Sequence, residues 1–333
     1  ICSSFLRSRI RQFLILPEIM PLARASDFSL SLAHSYCRIL RSIMDAQGNL
    51  GGLPADLNAL FQQTYDDGAR VHSNSWGSAA AGQYTADSEM VDEFAWNRKD
   101  MVITFSAGNE GMDGKHYVWT GTQWQCQLVE PPDGVIDRDS VGAPATAKNC
   151  ITVGATENYR PDFVYEFPAL GCTGNGFDNQ AWGWFDDCAN SLAPVYADLM
   201  ADNANGIGAF SSRGPTDDGR FKPEVVAPGI AIISTRTDLN QAYEQWGICQ
   251  VPDAQRPYYV NMGGTSMSNP LTAGTAVLVR QYFVDGWHAN NSDVTNASPV
   301  PAQGFNPSSA LVKATLINGA WDMAPGQYGV LAP

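Results

Sequence analysis

Helix and strand patterns alternate along residues 54–105, and this alternation limits the fold more than any other feature of the chain. Apolar residues recur at helical spacing in Pro54–Asp67 and again in Ser88–Arg98. A short strand pattern follows each of them, Ala69–Ser75 and then Met101–Phe105. Strands separated by helices form parallel sheets with helices on both faces. We therefore expect an α/β fold with a mostly parallel central sheet, and functional residues at the carboxyl ends of its strands.

The composition favours a compact, loop-rich extracellular enzyme. The chain has 333 residues, of which 44% are hydrophobic and only 16% charged, with 31 glycines and 20 prolines. Its net charge of −14 argues against nucleic acid and anionic membrane surfaces as partners. No apolar run is long enough to cross a bilayer. We expect a secreted monomer.

The seven cysteines fit secretion only weakly, because an odd number leaves at least one of them unpaired. Cys172 and Cys188 flank an insertion rich in Gly, Asn, Asp and Trp, and they are the first candidates for a disulfide. Cys126 could pair with Cys249, but the sequence does not decide this. Cys150 opens an apolar strand pattern and is most simply a buried thiol.

A candidate nucleophile, Ser266, lies in the small-residue turn Gly-Gly-Thr-Ser-Met-Ser-Asn-Pro at 263–270. A helix pattern follows it, so its hydroxyl would lie at the positive end of a helix dipole, where developing negative charge is favoured. Gly263 and Gly264 would let a substrate backbone approach closely. The alternative is an ordinary capping run before a helix.

Asn109 is a candidate donor to an oxyanion. The apolar run Met101–Phe105 predicts a buried strand, and Ser-Ala-Gly-Asn follows it where side chains emerge at the edge of a parallel sheet. One such donor is typically worth about 3–4 kcal/mol of transition-state stabilisation. The alternative is a turn asparagine between two glycines.

These segments, taken in order along the chain, resemble the subtilisin-like serine peptidases (subtilases). The matching residues are Asn-Ser-Trp-Gly at 74–77, Ala-Gly-Asn-Glu-Gly at 107–111, Pro-Ala-Thr-Ala-Lys-Asn-Cys-Ile-Thr-Val-Gly-Ala at 144–155, Phe-Ser-Ser-Arg-Gly-Pro at 210–215 with Lys-Pro-Glu-Val-Val-Ala-Pro-Gly at 222–229, and Gly-Thr-Ser-Met at 264–267. Residues 42–54 look like the alkaline branch, whose catalytic domain precedes a β-sandwich. The resemblance covers residues 42 to about 325, with insertions near 112–140 and 160–206.

The resemblance implies a subtilisin-like three-layer fold and a role for each matching residue. Ser266 would attack the peptide carbonyl to form an acyl-enzyme, and Asn109 with the backbone N–H of Ser266 would hold the oxyanion. The segment Ser75-Trp76-Gly77 would pair with the substrate backbone as an added strand. The primary pocket would be walled by that strand together with Ala107, Gly108 and Asn109, with Gly142 at its floor.

No carboxylate occurs at the position of Gly142, so we expect cleavage of polypeptides after large apolar residues rather than after Lys or Arg. Catalysis needs no cofactor in this family. Structural Ca²⁺ could be bound by the acidic clusters at 173–189 and 200–206, although solvated acidic loops are the better interpretation of both.

The Asp and His motifs of the family's triad are missing. The four histidines are His34, His72, His116 and His288, and none has the required context. His34 has the right order along the chain, but only a few residues separate it from the family-like sequence that begins at Ser42. We interpret residues 42–333 as a partial peptidase domain, incomplete at its N-terminus.

Residues 1–41 are basic and carry no family motif, which favours a shifted reading frame or a non-native segment. A secretory signal is the rival interpretation, with Arg7–Arg11 as its charged region and 13–22 as its apolar run. Glu18 and two prolines interrupt that run.

Two other functions are compatible with parts of the sequence. A catalytically dead relative that binds peptides in the cleft would explain the missing triad members, but not the retention of Ser266 and Asn109. An α/β-hydrolase esterase fails on spacing, because Ser268 replaces the last glycine of the required Gly-x-Ser-x-Gly.

Overall fold

A computed structural model describes residues 52–112, 115–119, 124–128, 136–160, 195–236, 251, 253–255, 257–290 and 298–323. Residues 1–41, both cysteines of the predicted 172–188 disulfide, Cys249 and the acidic cluster 173–189 lie outside these ranges.

Helices and strands alternate over much of the described chain. The helices are α1 (Leu57–Asp66), α2 (Ala86–Asn97), α3 (Thr265–Val284) and α4 (Ser309–Asn318). The strands are β1 (Val71–Asn74), β2 (Val102–Ser106), β3 (Lys115–Trp119), β4 (Trp124–Leu128), β5 (Ile151–Thr156), β6 (Val225–Pro228), β7 (Ile232–Thr235) and β8 (Tyr259–Met262).

The central sheet has four strands in the order β1-β2-β5-β6. Strand β5 pairs in parallel with β2, placing Thr104 opposite Ile151, and with β6, placing Val153 opposite Val225. Every residue of β2 and β5 is buried, as expected for parallel strands covered on both faces. The predicted α/β fold with a parallel central sheet is confirmed.

The structure contains two antiparallel strand pairs that were not predicted from the sequence. Strands β3 and β4 pair with Tyr117 opposite Cys126, inside the insertion predicted near 112–140. Strands β7 and β8 pair with Ile232 opposite Met262. These strands are only four or five residues long, and such short patterns are hard to distinguish from loops.

Capping residues mark where two of the helices begin. Helix α1 begins three residues after the predicted Pro54, because the Asp56 side chain accepts a hydrogen bond from Asn58 N and caps it. The chain leaves α1 through Gly68, whose φ of 93° favours glycine. Ser308 caps α4 by accepting from Leu311 N.

The chain divides into two compact units. The first comprises residues 1–72, 90–103 and 273–321. In its described part the Phe61 ring lies 5.4 Å from Phe94, and Asp100 accepts hydrogen bonds from Tyr65 and Arg70 at 2.9 Å each.

The second unit comprises residues 73–89, 104–272 and 322–333, and it contains all the predicted site residues. One apolar cluster in its core is made by Ile136, Ala155, Val195, Met200, Ala201, Ala209, Phe210, Ile230 and Ala231. Cys150 is fully buried here, so its prediction as a buried thiol is confirmed.

Candidate active site

Ser266 lies in the first turn of α3, where the chain turns sharply out of β8. Gly264 makes this turn with a φ of 137°, and its N–H donates to Gly229 O at 2.8 Å. Helix α3 then begins at Thr265, so the half-buried Ser266 lies at the positive end of a 20-residue helix. The predicted placement of the serine at a helix start is therefore observed.

A proline in the helix leaves the carbonyl of Ser266 without its usual helical donor. Pro270 follows Ser266 by four residues and has no N–H to donate back to Ser266 O. The Ser75 hydroxyl takes that place and donates to Ser266 O at 2.9 Å. In return, the Ser266 hydroxyl lies 3.5 Å from Ser75 O. The segment that follows β1 is thus joined to the start of α3.

Asn109 follows β2, and its side-chain amide is held in one orientation by Thr265. Its Oδ1 accepts from Thr265 N at 2.9 Å and from the Thr265 hydroxyl at 3.0 Å. Thr265 is only 1% exposed, so its side of these hydrogen bonds is shielded from water, whereas Asn109 itself is exposed to solvent. Because the amide oxygen faces Thr265, the Nδ2 group of Asn109 is the donor left for a ligand.

All the predicted site residues except Ser75 line one cavity of about 150 Å³. Its wall consists of Trp76, Gly77, Ser78, Ala79, Ser106, Ala107, Gly108, Asn109, Glu110, Gly142, Ala143, Thr265 and Ser266. Two backbone hydrogen bonds between Ser78 and Ala143 close one side of it, at 2.9 and 3.0 Å.

Gly142 has a second physical role beside leaving space in the pocket. A Cβ at this position would lie 2.7 Å from Ser78 O, so close backbone packing alone requires glycine here. Glu110 also lines the pocket, although it was not predicted as a site residue. One of its carboxylate oxygens accepts from Asn109 N at 2.8 Å and from the Ser212 hydroxyl at 3.1 Å.

Asn269 is a further site neighbour that the sequence analysis did not single out. It is fully buried one turn after Ser266, and its Nδ2 group donates to the hydroxyls of Ser73 at 3.1 Å and Ser75 at 3.3 Å. The one signal in the sequence was its position three residues after Ser266, which places both residues on the same side of the helix.

No histidine whose side chain is described belongs to the unit that carries Ser266. His72 belongs to the other unit and packs edge-on against Phe61 at 5.1 Å. His288 belongs to that unit as well, and lies 5.0 Å from Phe305. His34 and the side chain of His116 lie outside the described part of the chain.

Among the described residues, no group of three or more His, Cys, Asp or Glu side chains is placed to hold a metal ion. None of the helices within those residues is long and apolar enough to cross a membrane.

The site combines a hydroxyl at a helix start, an oriented amide donor, and a pocket that could take a side chain of the substrate. This arrangement is suited to acyl transfer by a serine nucleophile.

Comparison with known sequences identifies the family. The sequence profile of the subtilase family matches residues 37–330, and the chain belongs to that family of serine proteases.

The chain is 30% identical over 303 residues to the serine protease/ABC transporter B family protein tagD of Dictyostelium discoideum, covering 80% of this chain. It is 28% identical over 248 residues to pyrolysin of Pyrococcus furiosus, covering 73% of this chain. It spans only 15% and 13% of the lengths of these relatives.

Among solved structures, sphericase aligns over 82% of this chain and 56% of its own, with 18% identity and a TM-score of 0.40. A lanthipeptide protease aligns over 82% of this chain and 60% of its own, with 18% identity and a TM-score of 0.44.

Proposed function

We propose that this domain hydrolyses peptide bonds through an acyl-enzyme on Ser266. The observation that carries the proposal is the Asn109 amide, which Thr265 fixes through Oδ1 next to the start of the nucleophile helix. In this mechanism the Ser266 hydroxyl attacks the carbonyl carbon, and Asn109 Nδ2 with the Ser266 N–H stabilises the oxyanion. Collapse of the tetrahedral intermediate releases the amine, and water then hydrolyses the ester.

The substrate class we propose is an extended polypeptide with a large apolar residue in the cavity. The segment Ser75-Trp76-Gly77 would hydrogen bond to the peptide backbone as an added strand. The preference rests on the glycine at position 142, which brings no carboxylate to the pocket floor. The Glu110 carboxylate in the cavity wall accepts from two neutral donors and keeps its charge, so it is the group that would attract a basic side chain instead. A peptide library cleaved mainly after Lys or Arg would contradict this specificity, and Glu110→Gln would then show whether its carboxylate is responsible.

The proton that the Ser266 hydroxyl loses has to reach the leaving amine, and no histidine with a described side chain belongs to the Ser266 unit to carry it. The same observation supports a second candidate function, a catalytically inactive domain that binds peptides in the same cleft. In either case we propose a secreted monomer that acts on polypeptides, needs no catalytic cofactor, and could carry structural Ca²⁺.

Labelling with a fluorophosphonate, read by intact mass, separates the two functions. The folded protein should gain one adduct, which Ser266→Ala abolishes. Asn109→Leu should slow the labelling by about 100–1000-fold, because it removes an oxyanion donor. Ser78→Ala is the matched control, since it alters another serine of the same cavity and should be labelled at the normal rate.

A folded protein that takes no label, yet binds unstructured peptides with an affinity that Trp76→Ala weakens, would favour the inactive peptide-binding domain. Labelling that persists in Ser266→Ala would contradict the assignment of the nucleophile.

A further inference from the structure

Ser212 makes three hydrogen bonds to the segment that carries Asn109. Its N–H donates to Gly108 O at 3.1 Å. Its hydroxyl accepts from Glu110 N at 3.0 Å and donates to a carboxylate oxygen of Glu110 at 3.1 Å. Ser212 is fully buried, and it is not among the described residues that line the cavity. It therefore acts on the candidate site through residues 108–110.

The Glu110 carboxylate connects Ser212 to the backbone of Asn109. The carboxylate oxygen that accepts from the Ser212 hydroxyl, Oε2, also accepts from Asn109 N at 2.8 Å. The peptide group between Gly108 and Asn109 is thus held at both of its polar atoms. Its carbonyl oxygen accepts from Ser212 N, and its N–H donates to Glu110.

Gly108 makes this external support necessary. Its φ of 115° lies in the region that favours glycine, the residue with the greatest backbone freedom. A Cβ at this position would lie 2.5 Å from Glu110 Oε2 and 2.7 Å from the Ser212 hydroxyl oxygen. The close approach of these two groups therefore requires a glycine, and the same two groups restrain the peptide group that follows it.

Asn109 is thus supported by two separate parts of the chain. Thr265, at the start of α3, holds the amide oxygen of its side chain. Ser212, in the loop that precedes β6, holds the backbone from which that side chain extends. The direction of the Asn109 amide depends on both, because a side chain fixed at its end still swings if its backbone turns.

We propose that Ser212 is a positioning residue for the oxyanion donor: through Glu110 it fixes the Gly108–Asn109 peptide group and thereby aims the Asn109 amide. Its effect on catalysis rests on the proposed function of the site, whereas its effect on the orientation of the amide does not. The Glu110 carboxylate serves here as a hydrogen-bond acceptor, so a neutral acceptor of the same shape should take its place.

The first test is the NMR signal of the Asn109 side-chain amide in the full chain, made with isotope-labelled asparagine. Asn109→Leu identifies the signal by removing it. Ser212→Ala should broaden or split the signal, because the amide then takes more than one orientation. Glu110→Met should do the same, whereas Glu110→Gln, which keeps an acceptor oxygen, should leave one sharp signal. This readout needs no enzymatic activity.

The second test is the rate at which a fluorophosphonate labels Ser266. Ser212→Ala should slow the labelling by about tenfold, because the oxyanion donor is no longer held in place. In a chain that already carries Asn109→Leu, Ser212→Ala should cause no further slowing, since the group that it positions is absent. A serine that only stabilises the fold would slow the labelling equally in both chains.

Ser140→Ala is the matched control. Ser140 is also a buried serine, and its hydroxyl accepts from the N–H of Arg213, the residue after Ser212, at 3.0 Å and donates to Asp137 O at 3.0 Å. Its loss should destabilise the chain in urea about as much as Ser212→Ala. The Asn109 signal and the labelling rate should stay as they are in the unmodified chain.

A sharp, single Asn109 signal in Ser212→Ala and in Glu110→Met would overturn the proposal, and so would equal slowing of the labelling with and without Asn109. Glu110→Met decides the matter if Ser212→Ala does not fold, because Glu110 is exposed. A folded chain that takes no label, but whose Asn109 signal broadens in both variants, would contradict the proposed peptidase activity and still support the positioning role.

Discussion

Thr265→Val tests whether the orientation of Asn109, the proposed oxyanion donor, depends on a single buried hydroxyl. Valine keeps the shape of threonine, so the change removes hydrogen bonds while the volume stays nearly constant. The hydroxyl has three possible partners: Asn109 Oδ1 at 3.0 Å, Gly108 O at 3.2 Å and Gly108 N at 3.3 Å. It has one proton, so it can donate to only one of the two oxygens while it accepts from Gly108 N.

The size of the effect follows from this count. Removal of the hydroxyl loses one donated bond and leaves the half-buried Gly108 N–H without its acceptor, which costs about 1–3 kcal/mol of folding free energy. The Asn109 amide keeps its bond from Thr265 N at 2.9 Å. We therefore expect labelling of Ser266 to slow by about tenfold, or ~1.4 kcal/mol, less than the effect of removing Asn109 itself.

Two measurements on the same samples separate these effects. Urea denaturation gives the change in folding free energy, and fluorophosphonate labelling gives the change in reactivity. Thr265→Ser keeps the hydroxyl and should restore most of both. If Thr265→Val matches the unmodified chain in stability and in labelling rate, then the hydroxyl does not orient the amide and the reasoning is refuted.

Two other substitutions test the packing around the site. Asn269→Ala should cost about 1–2 kcal/mol of folding free energy in urea denaturation, because its bonds to Ser73 and Ser75 are lost; no loss would show that these bonds are negligible. Lys222→Met should cost about 3–5 kcal/mol, because it leaves the Glu224 carboxylate, 2.8 Å from the ammonium, without its charge partner. Adding Glu224→Gln should recover part of that loss, and a larger loss in the double variant would contradict the explanation.

The sequence was sufficient to predict the buried strands of the central sheet. The apolar runs that become β2 and β5 are entirely buried, so their pattern is continuous and hard to mistake for a loop. Their predicted first residues, Met101 and Cys150, each lie one residue before the observed start of the strand. The grouping of Asn109 with Ser266 was also predictable, since one follows a strand of the sheet and the other begins a helix in a recognisable motif.

The sequence could not show which contacts hold those residues in place. Thr265 and Asn269 read as ordinary helix positions, and their importance depends on partners more than 150 residues away along the chain. Gly142 illustrates the same limit. Its match to the family predicts space in a pocket, whereas the structure shows a backbone carbonyl that leaves no room for a Cβ. Pairwise distances of this kind are set by the fold as a whole and leave no local pattern.

The hydrogen bond from the Ser75 hydroxyl to Ser266 O links the proposed nucleophile to the segment proposed to align the peptide. A helix start frays easily because its first turn has few internal hydrogen bonds, and a proline there removes one more. The carbonyl left open belongs to Ser266 itself, and the hydroxyl that satisfies it belongs to the segment proposed to align the peptide. The carbonyl that the helix leaves open is thus bonded to the segment that follows β1. This hydrogen bond resists separation of the two segments, and under the proposed function it would help to keep the Ser266 hydroxyl aligned with a bound peptide.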